Sequence, residues 1–307
     1  MLTFLRDGAF TTALSLKPAY AVQNKRFCIG LCMRLLWLTI LAMVAFAANS
    51  VLTRVALTGA SDPFAFAALR VMSGALALLV LVYLRGSVLP LKLPTRVPSS
   101  LALTVYMLGF SLAYLSLPSG AGALILFGSV QISMFAGALF LKEPVPVQRW
   151  LGGMLALGGL VFLLWPDATA QFPAFAVFAM ISAGVGWGIY SLIGRRARDP
   201  LADTALNFAL STIPTGIVWL LTQGALTGMG AVLAIVAGVV TSGFGYALWY
   251  RVLPQLGASR AGVAQLSVPV LAMLGGFVFL GEGITFKFVI ASVLVLGGIG
   301  VSMLRRP

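Results

Sequence analysis

A chain of 307 residues that is 60% hydrophobic and 9% charged, with a mean hydropathy of +1.05, is too apolar for a soluble fold, in which about a quarter of residues carry charge. A net charge of +13 raises nucleic-acid binding as a role, but the placement of the basic residues described below argues against it. With no histidine and two cysteines, a Cys/His metal centre is excluded.

Residues 1–33 are weakly amphipathic, contain Ser and Thr, and show no small-residue cleavage site. They are read as a cytoplasmic N-terminal segment, either a disordered tail or a stretch ahead of a start at Met33, with Cys28 and Cys32 incidental. Ten stretches then approach the roughly 20 apolar residues that cross a bilayer as a helix. They are placed at 35–55, 63–84, 98–117, 121–141, 149–165, 173–193, 203–222, 229–250, 260–280 and 286–304. Asn49 and Ser50 interrupt the first, Arg70 the second, and Tyr106 and Tyr114 lie in the third. Gln131 interrupts the fourth, which ends at Glu143. Trp187 and Tyr190 mark the sixth, Asn207 and Pro214 the seventh, and Tyr246 and Trp249 the eighth. Gln265, Ser267 and Pro269 fall in the ninth, which ends at Glu282. Runs this long, without period-2 alternation, exclude a β-barrel, and lipid tolerates no open backbone. The fold class predicted is an all-α integral membrane protein with ten transmembrane helices.

Alternate connections collect the basic residues. Seventeen of the 20 Lys and Arg fall on one side, among them Arg34, Arg85, Arg96, Arg195, Arg196, Arg251 and Arg306; the other side holds Arg54 and Lys287, and Arg70 lies inside a span. The positive-inside rule then puts both termini in the cytoplasm of a cell whose inner membrane the chain crosses. The basic charge reports topology, so no nucleic-acid partner is expected.

The chain repeats itself. Leu141-Lys142-Glu143 corresponds to Leu280-Gly281-Glu282, and Leu157-Gly158-Gly159 to Leu296-Gly297-Gly298. Earlier in each half, Asp62-Pro63 corresponds to Asp199-Pro200 and Arg70 to Asn207. Residues 34–167 and 168–307 thus form two five-helix repeats. Five is odd, so the second half enters the membrane from the opposite side. Such inverted repeats are the architecture of many secondary transporters.

With these motifs the sequence resembles the EamA-type members of the drug/metabolite transporter superfamily. The resemblance rests on Ala247-Leu248-Trp249-Tyr250-Arg251-Val252-Leu253, Pro269-Val270, Leu280-Gly281-Glu282-Gly283-Ile284-Thr285 and Leu296-Gly297-Gly298, with first-half equivalents at Ala113-Tyr114-Leu115, Leu141-Lys142-Glu143-Pro144 and Leu157-Gly158-Gly159. It implies ten helices with cytoplasmic termini, a central cavity between the halves, and export of amino acids or other metabolites. One departure is Val130 in the first half opposite Pro269 in the second, which makes the two cavity walls unequal.

Arg70 cannot shed its charge and requires an anion or carbonyl oxygens. Two partners are open to it: a substrate carboxylate, or a structural pair with Glu282. The repeat favours the pair, because Asn207 and Glu143 would form its uncharged counterpart on the cytoplasmic side. Glu143 and Glu282 are read as structural helix-end acids that bond the N–H groups opening the next helix. Asn49, Arg70, Gln131, Trp187, Tyr190, Tyr246, Trp249 and Gln265 are the candidate substrate-binding residues, in a cavity of aromatic walls and few polar groups. Pro214 and Pro269 are predicted kinks. Gly184 and Gly188 form a face for close helix packing.

No span carries a carboxylate at its centre, no catalytic or metal-binding cluster exists, and no phosphate-cradling loop appears. Enzyme chemistry on lipids would need such groups, so the chain is read as a non-enzyme without cofactor. The expectation is a secondary carrier that moves a small metabolite, an amino acid or a related compound, by alternating access. Multidrug or other organic-solute efflux is the alternative. Its partners are a small-molecule substrate and the lipid bilayer, and both a monomer and a homodimer remain open.

Overall fold

The computed structural model describes residues 16–89, 93–140, 147–165, 172–194, 197–265 and 267–303. Among the described residues all regular secondary structure is helical. The α-helices are α1 Leu16–Thr58, α2 Pro63–Leu84, α3 Leu93–Ala113, α4 Ser119–Phe140, α5 Val147–Leu164, α6 Ala174–Gly194, α7 Pro200–Thr222, α8 Gly228–Val236, α9 Gly245–Gln265, α10 Ser267–Leu280 and α11 Phe286–Met303. A π-helical segment, Ala237–Phe244, joins α8 to α9.

The repeated Asp-Pro pairs are repeated helix starts. Asp62 and Asp199 hold extended backbone, and each carboxylate accepts two amide N–H bonds, from Phe64 and Ala65 in α2 and from Leu201 and Ala202 in α7. The proline that follows fills the first helical position, where its missing N–H has no helical partner to lose. α1 begins earlier than the predicted span, at Leu16. Once an apolar span has nucleated a helix, extension through residues without interior proline costs little.

Met33–Thr58, Pro63–Leu84, Ala174–Gly194, Pro200–Thr222 and Gly228–Val252 are long and apolar enough to cross a membrane, and Ser119–Ser133, Trp150–Leu164, Ser267–Leu280 and Phe286–Val301 are shorter apolar helices. The surface is apolar: Leu76, Phe178, Leu220, Leu221, Val278 and Val293 point outward. Polar side chains turn inward instead, including Asn49, Thr53, Arg70, Asn207, Ser211 and Ser242. This reversal of the soluble pattern is what a lipid solvent selects. The chain is a multi-pass membrane protein.

α5 packs on α11, α3 on α6, and α2 on α7. α4 packs on α6 and α10, α1 on α10 and on the α8–π–α9 run, the π segment on α2, and α3 on α7. Glycine makes the tightest of these approaches possible. A Cβ at Gly186 would come within 2.6 Å of the Ala102 carbonyl of α3, and one at Gly74 within 2.8 Å of the Gly238 carbonyl in the π segment. Gly184 and Gly188 pack against Ser129 and Ser133 of α4, so the small-residue face is a packing face.

Polar bonds tie the helix ends. At one end of the bundle the Asp62 N–H donates to the Ala225 carbonyl at 2.9 Å, Ser61 and Thr227 share a hydroxyl bond at 3.0 Å, and Lys287 Nζ donates to the Trp165 carbonyl at 2.5 Å. At the other end Arg96 Nη2 meets Asp203 Oδ1 at 2.7 Å, and Arg85 Nη1 meets Asp199 Oδ1 at 3.5 Å.

Pro214 lies inside α7. α9 ends at Gln265, whose carbonyl a residue at 269 would have bonded, and Pro269 falls in the first turn of α10.

Candidate substrate site

Five helices converge on a small cavity of about 20 Å³, room for about one water. α1 gives Phe46, Asn49 and Ser50; α3 gives Tyr106 and Phe110; α4 gives Leu126 and Phe127; α6 gives Trp187; and α9 gives Tyr246. At ~1.5 Å per residue Tyr106 stands ~15 Å along α3 from Arg96 and ~12 Å from the turn at Tyr114. The cavity is therefore at mid-depth.

Its wall is a continuous aromatic lattice. Trp187 lies 4.7 Å from Tyr246 and 4.9 Å from Tyr106, centroid to centroid, and Phe46 meets Tyr246 edge-on at 5.7 Å. Offset and edge contacts of this kind hold rings rigidly. A second layer backs the first: Trp249 packs on Phe46 at 5.7 Å and Tyr190 on Trp187 at 5.5 Å.

Behind Tyr106 and Tyr246 sits Arg70, fully buried. Its Nε donates to Ser242 Oγ at 2.9 Å, and its Nη2 reaches Tyr106 Oη and Tyr246 Oη, each at 3.4 Å. The guanidinium carbon stands 5.0 Å from the Phe110 ring centroid and 5.8 Å from that of Tyr106, in cation–π range. Tyr246 Oη in turn donates to Tyr106 Oη at 2.9 Å. Among the described residues Nη1 has no partner, and Arg70 makes no ion pair.

The expected pairing of Arg70 with Glu282 does not form. Glu282 Oε1 lies 3.4 Å from Arg54 Nε, and its Oε2 accepts the Ser119 N–H at 2.7 Å. It therefore caps α4 rather than the helix that follows it, and Thr285 caps α11 through the Phe288 N–H at 3.2 Å. Asn207 bonds Ser99 Oγ at 3.1 Å. Glu143, its expected partner, lies outside the described residues.

Of the predicted site residues, Asn49, Trp187 and Tyr246 line the cavity, Arg70 adjoins it, and Tyr190 and Trp249 form the backing layer. Gln131 is half-buried on α4 about a turn past Phe127, and Gln265 is buried at the end of α9; neither lines the cavity. Thr241 and Ser242 went unpredicted. Thr241 Oγ1 donates to Asn49 Oδ1 at 3.1 Å, so the π segment anchors both Asn49 and Arg70. π turns recur at functional sites because they re-aim side chains. Two adjacent hydroxyl residues between Gly238 and Gly243 in an apolar span were the available signal. Phe46, Phe110 and Phe127 gave none, being three of 20 phenylalanines.

Residues 33–165 and 174–304 each match the EamA-like transporter family. An uncharacterized protein of Pseudomonas aeruginosa is 44% identical over 277 residues, covering 89% of this chain and 96% of that protein. A protein of Salmonella typhimurium named a probable amino-acid metabolite efflux pump is 23% identical over 203 residues, 61% of this chain and 68% of its own length. A crystal structure with 21% sequence identity superposes with a TM-score of 0.66, covering 87% of this chain and 98% of that one.

Proposed function

The chain belongs to the EamA-like transporter family, a family of transporters rather than enzymes, and from that premise we propose that it exports a small amino-acid-like metabolite by alternating access. The observation that carries this reading is the mid-depth cavity itself. A mid-depth site with aromatic walls and a few polar groups, tied by polar contacts toward each end, fits a carrier whose two halves open it in turn, and at about 20 Å³ it must widen to admit a metabolite. Toward one end Arg54 bonds the Tyr114 and Leu115 carbonyls at 2.8 Å each and pairs with Glu282. Toward the other, Arg96 and Asp203 join α3 to α7.

We read the architecture as ten membrane helices in two inverted halves, 34–167 and 168–307, ahead of an N-terminal segment. The helix contacts support this. Under the sequence repeat, α3 on α6 has its counterpart in the α8–π–α9 run on α1, α4 on α6 in α10 on α1, and the π segment on α2 in α3 on α7. α2–α7, α4–α10 and α5–α11 each pair an element with its own equivalent. Two such halves pack in two related ways, one open to each side. We read both termini as cytoplasmic and the membrane as the inner membrane, because the basic connections collect on one side of the spans.

Cargo selection falls to Asn49, Trp187 and Tyr246, which line the chamber, with Tyr190 and Trp249 holding the rings in place. The test is flux into proteoliposomes loaded with the purified chain. Uptake of labelled aromatic and apolar amino acids above protein-free vesicles is expected, and its loss in Trp187→Ala. No uptake of any of them would sink the reading.

A further inference from the structure

Resting on the transport reading, we infer that the cavity recognises the carboxylate end of its substrate through Tyr106 and Tyr246, polarised from behind by Arg70, and that it rejects cations. Arg70 holds a permanent charge with no carboxylate against it among the described residues. The four described acids are all engaged elsewhere: Asp62 and Asp199 cap helices, Asp203 binds Arg96, and Glu282 binds Arg54 and the Ser119 amide. Three hydroxyls and two ring faces solvate the guanidinium, and none of these neutralises it. A buried cation without a counter-charge is costly, and an anion placed nearby relieves that cost.

The donor and acceptor balance around the two tyrosines indicates where an anion would bind. Arginine only donates, so Tyr106 Oη and Tyr246 Oη both act as acceptors toward Nη2. Tyr246 gives its hydrogen to Tyr106. The Tyr106 hydrogen is left, and no described residue accepts it. Tyr106 and Tyr246 both line the cavity, and their hydroxyls link its wall to the positive charge of Arg70, so an anion that enters can take the spare Tyr106 hydrogen. A carboxylate oxygen suits that donor. An ammonium group meets the Arg70 charge there and finds no acid among the lining residues, only the amide of Asn49, the hydroxyl of Ser50 and ring faces. Apolar rings around the rest of the wall fit an apolar or aromatic body. The substrate class is a small aromatic or aliphatic carboxylate, with the amino group tolerated rather than required.

The experiment compares 3-phenylpropionate, L-phenylalanine and L-phenylalaninamide as ligands of the purified full chain, read by thermal stabilisation in detergent, with flux measured in parallel. The two carboxylates are expected to bind about ten-fold or more tightly than the amide, the scale of one hydrogen bond to a charged group. In Arg70→Met and in Tyr106→Phe the discrimination should shrink to about two-fold. If Arg70→Met fails to fold, Tyr106→Phe combined with Tyr246→Phe decides the matter. Equal binding of the amide, no binding of 3-phenylpropionate, or full discrimination in the tyrosine variants overturns the inference. Flux without charge preference removes this inference and leaves transport standing. Selective binding without flux does the reverse.

Discussion

Arg54 and Glu282 meet across 228 positions of sequence, Nε to Oε1 at 3.4 Å, while the second oxygen of the same carboxylate accepts the first amide of α4. Glu282 thus bridges three elements, and both side chains are less than a fifth exposed. Glu282→Gln should lower stability by about 2 kcal/mol, the range of hydrogen bonds to charged groups. The reversed pair, Arg54→Glu with Glu282→Arg, should fail to restore it, because a cation at the start of α4 opposes the helix dipole. Thermal unfolding in detergent measures both, and full recovery in the reversed pair would contradict the cap.

The two Asp-Pro starts predict matched losses. Asp62→Ala and Asp199→Ala should each cost about 1 kcal/mol, as N-cap removal does. Arg85→Ala should stay within about 0.5 kcal/mol, because its 3.5 Å pair with Asp199 is exposed. A large Arg85 effect would show that the ion pair, not the cap, is what Asp199 provides.

Asp203 is the buried carboxylate toward the end of the bundle opposite Glu282, at 2.7 Å from Arg96. Asp203→Asn should destabilise by about 3 kcal/mol, since it leaves Arg96 in a buried site without its charge partner. Arg96→Ala combined with Asp203→Ala should cost less than the sum of the two single changes. Strict additivity, measured as a double-mutant cycle, would mean that the two do not interact.

Glycines separate into two classes that substitution can read. Gly186→Ala drives a methyl into the backbone of α3 and should cost about 1–3 kcal/mol. Gly153→Ala and Gly158→Ala meet nothing within 4 Å and should be neutral or slightly stabilising through helix propensity. Folded yield after size-exclusion chromatography distinguishes the three.

Orientation is open to a labelling test in a Cys28→Ser, Cys32→Ser background. Val88→Cys lies in the exposed α2–α3 connection and Ala225→Cys in the exposed α7–α8 connection. In intact cells a membrane-impermeant thiol reagent should modify the second and spare the first. The opposite pattern would invert the assigned topology.

Hydropathy is a property of each residue, so the apolar spans, the alternation of basic connections and the family likeness were legible in the sequence alone. The Asp-Pro pairs were visible as repeated elements, and each opens a helix through N-cap bonds to amides only two and three residues away. The partners of the buried charges were not. Arg70 meets Ser242 across 172 positions, and Glu282 meets Arg54 rather than Arg70, because pairing depends on which face each helix turns inward. The cavity shows the same division. Its polar members, Asn49, Tyr106 and Tyr246, stood out against apolar surroundings, whereas Phe46, Phe110 and Phe127 look like every other lipid-facing phenylalanine until packing selects them. Sequence determined that this chain lives in a membrane and carries an arginine within a span. Tertiary structure decided what that arginine faces, because helix rotation and the π segment at Ala237–Phe244 are set by contacts between distant helices.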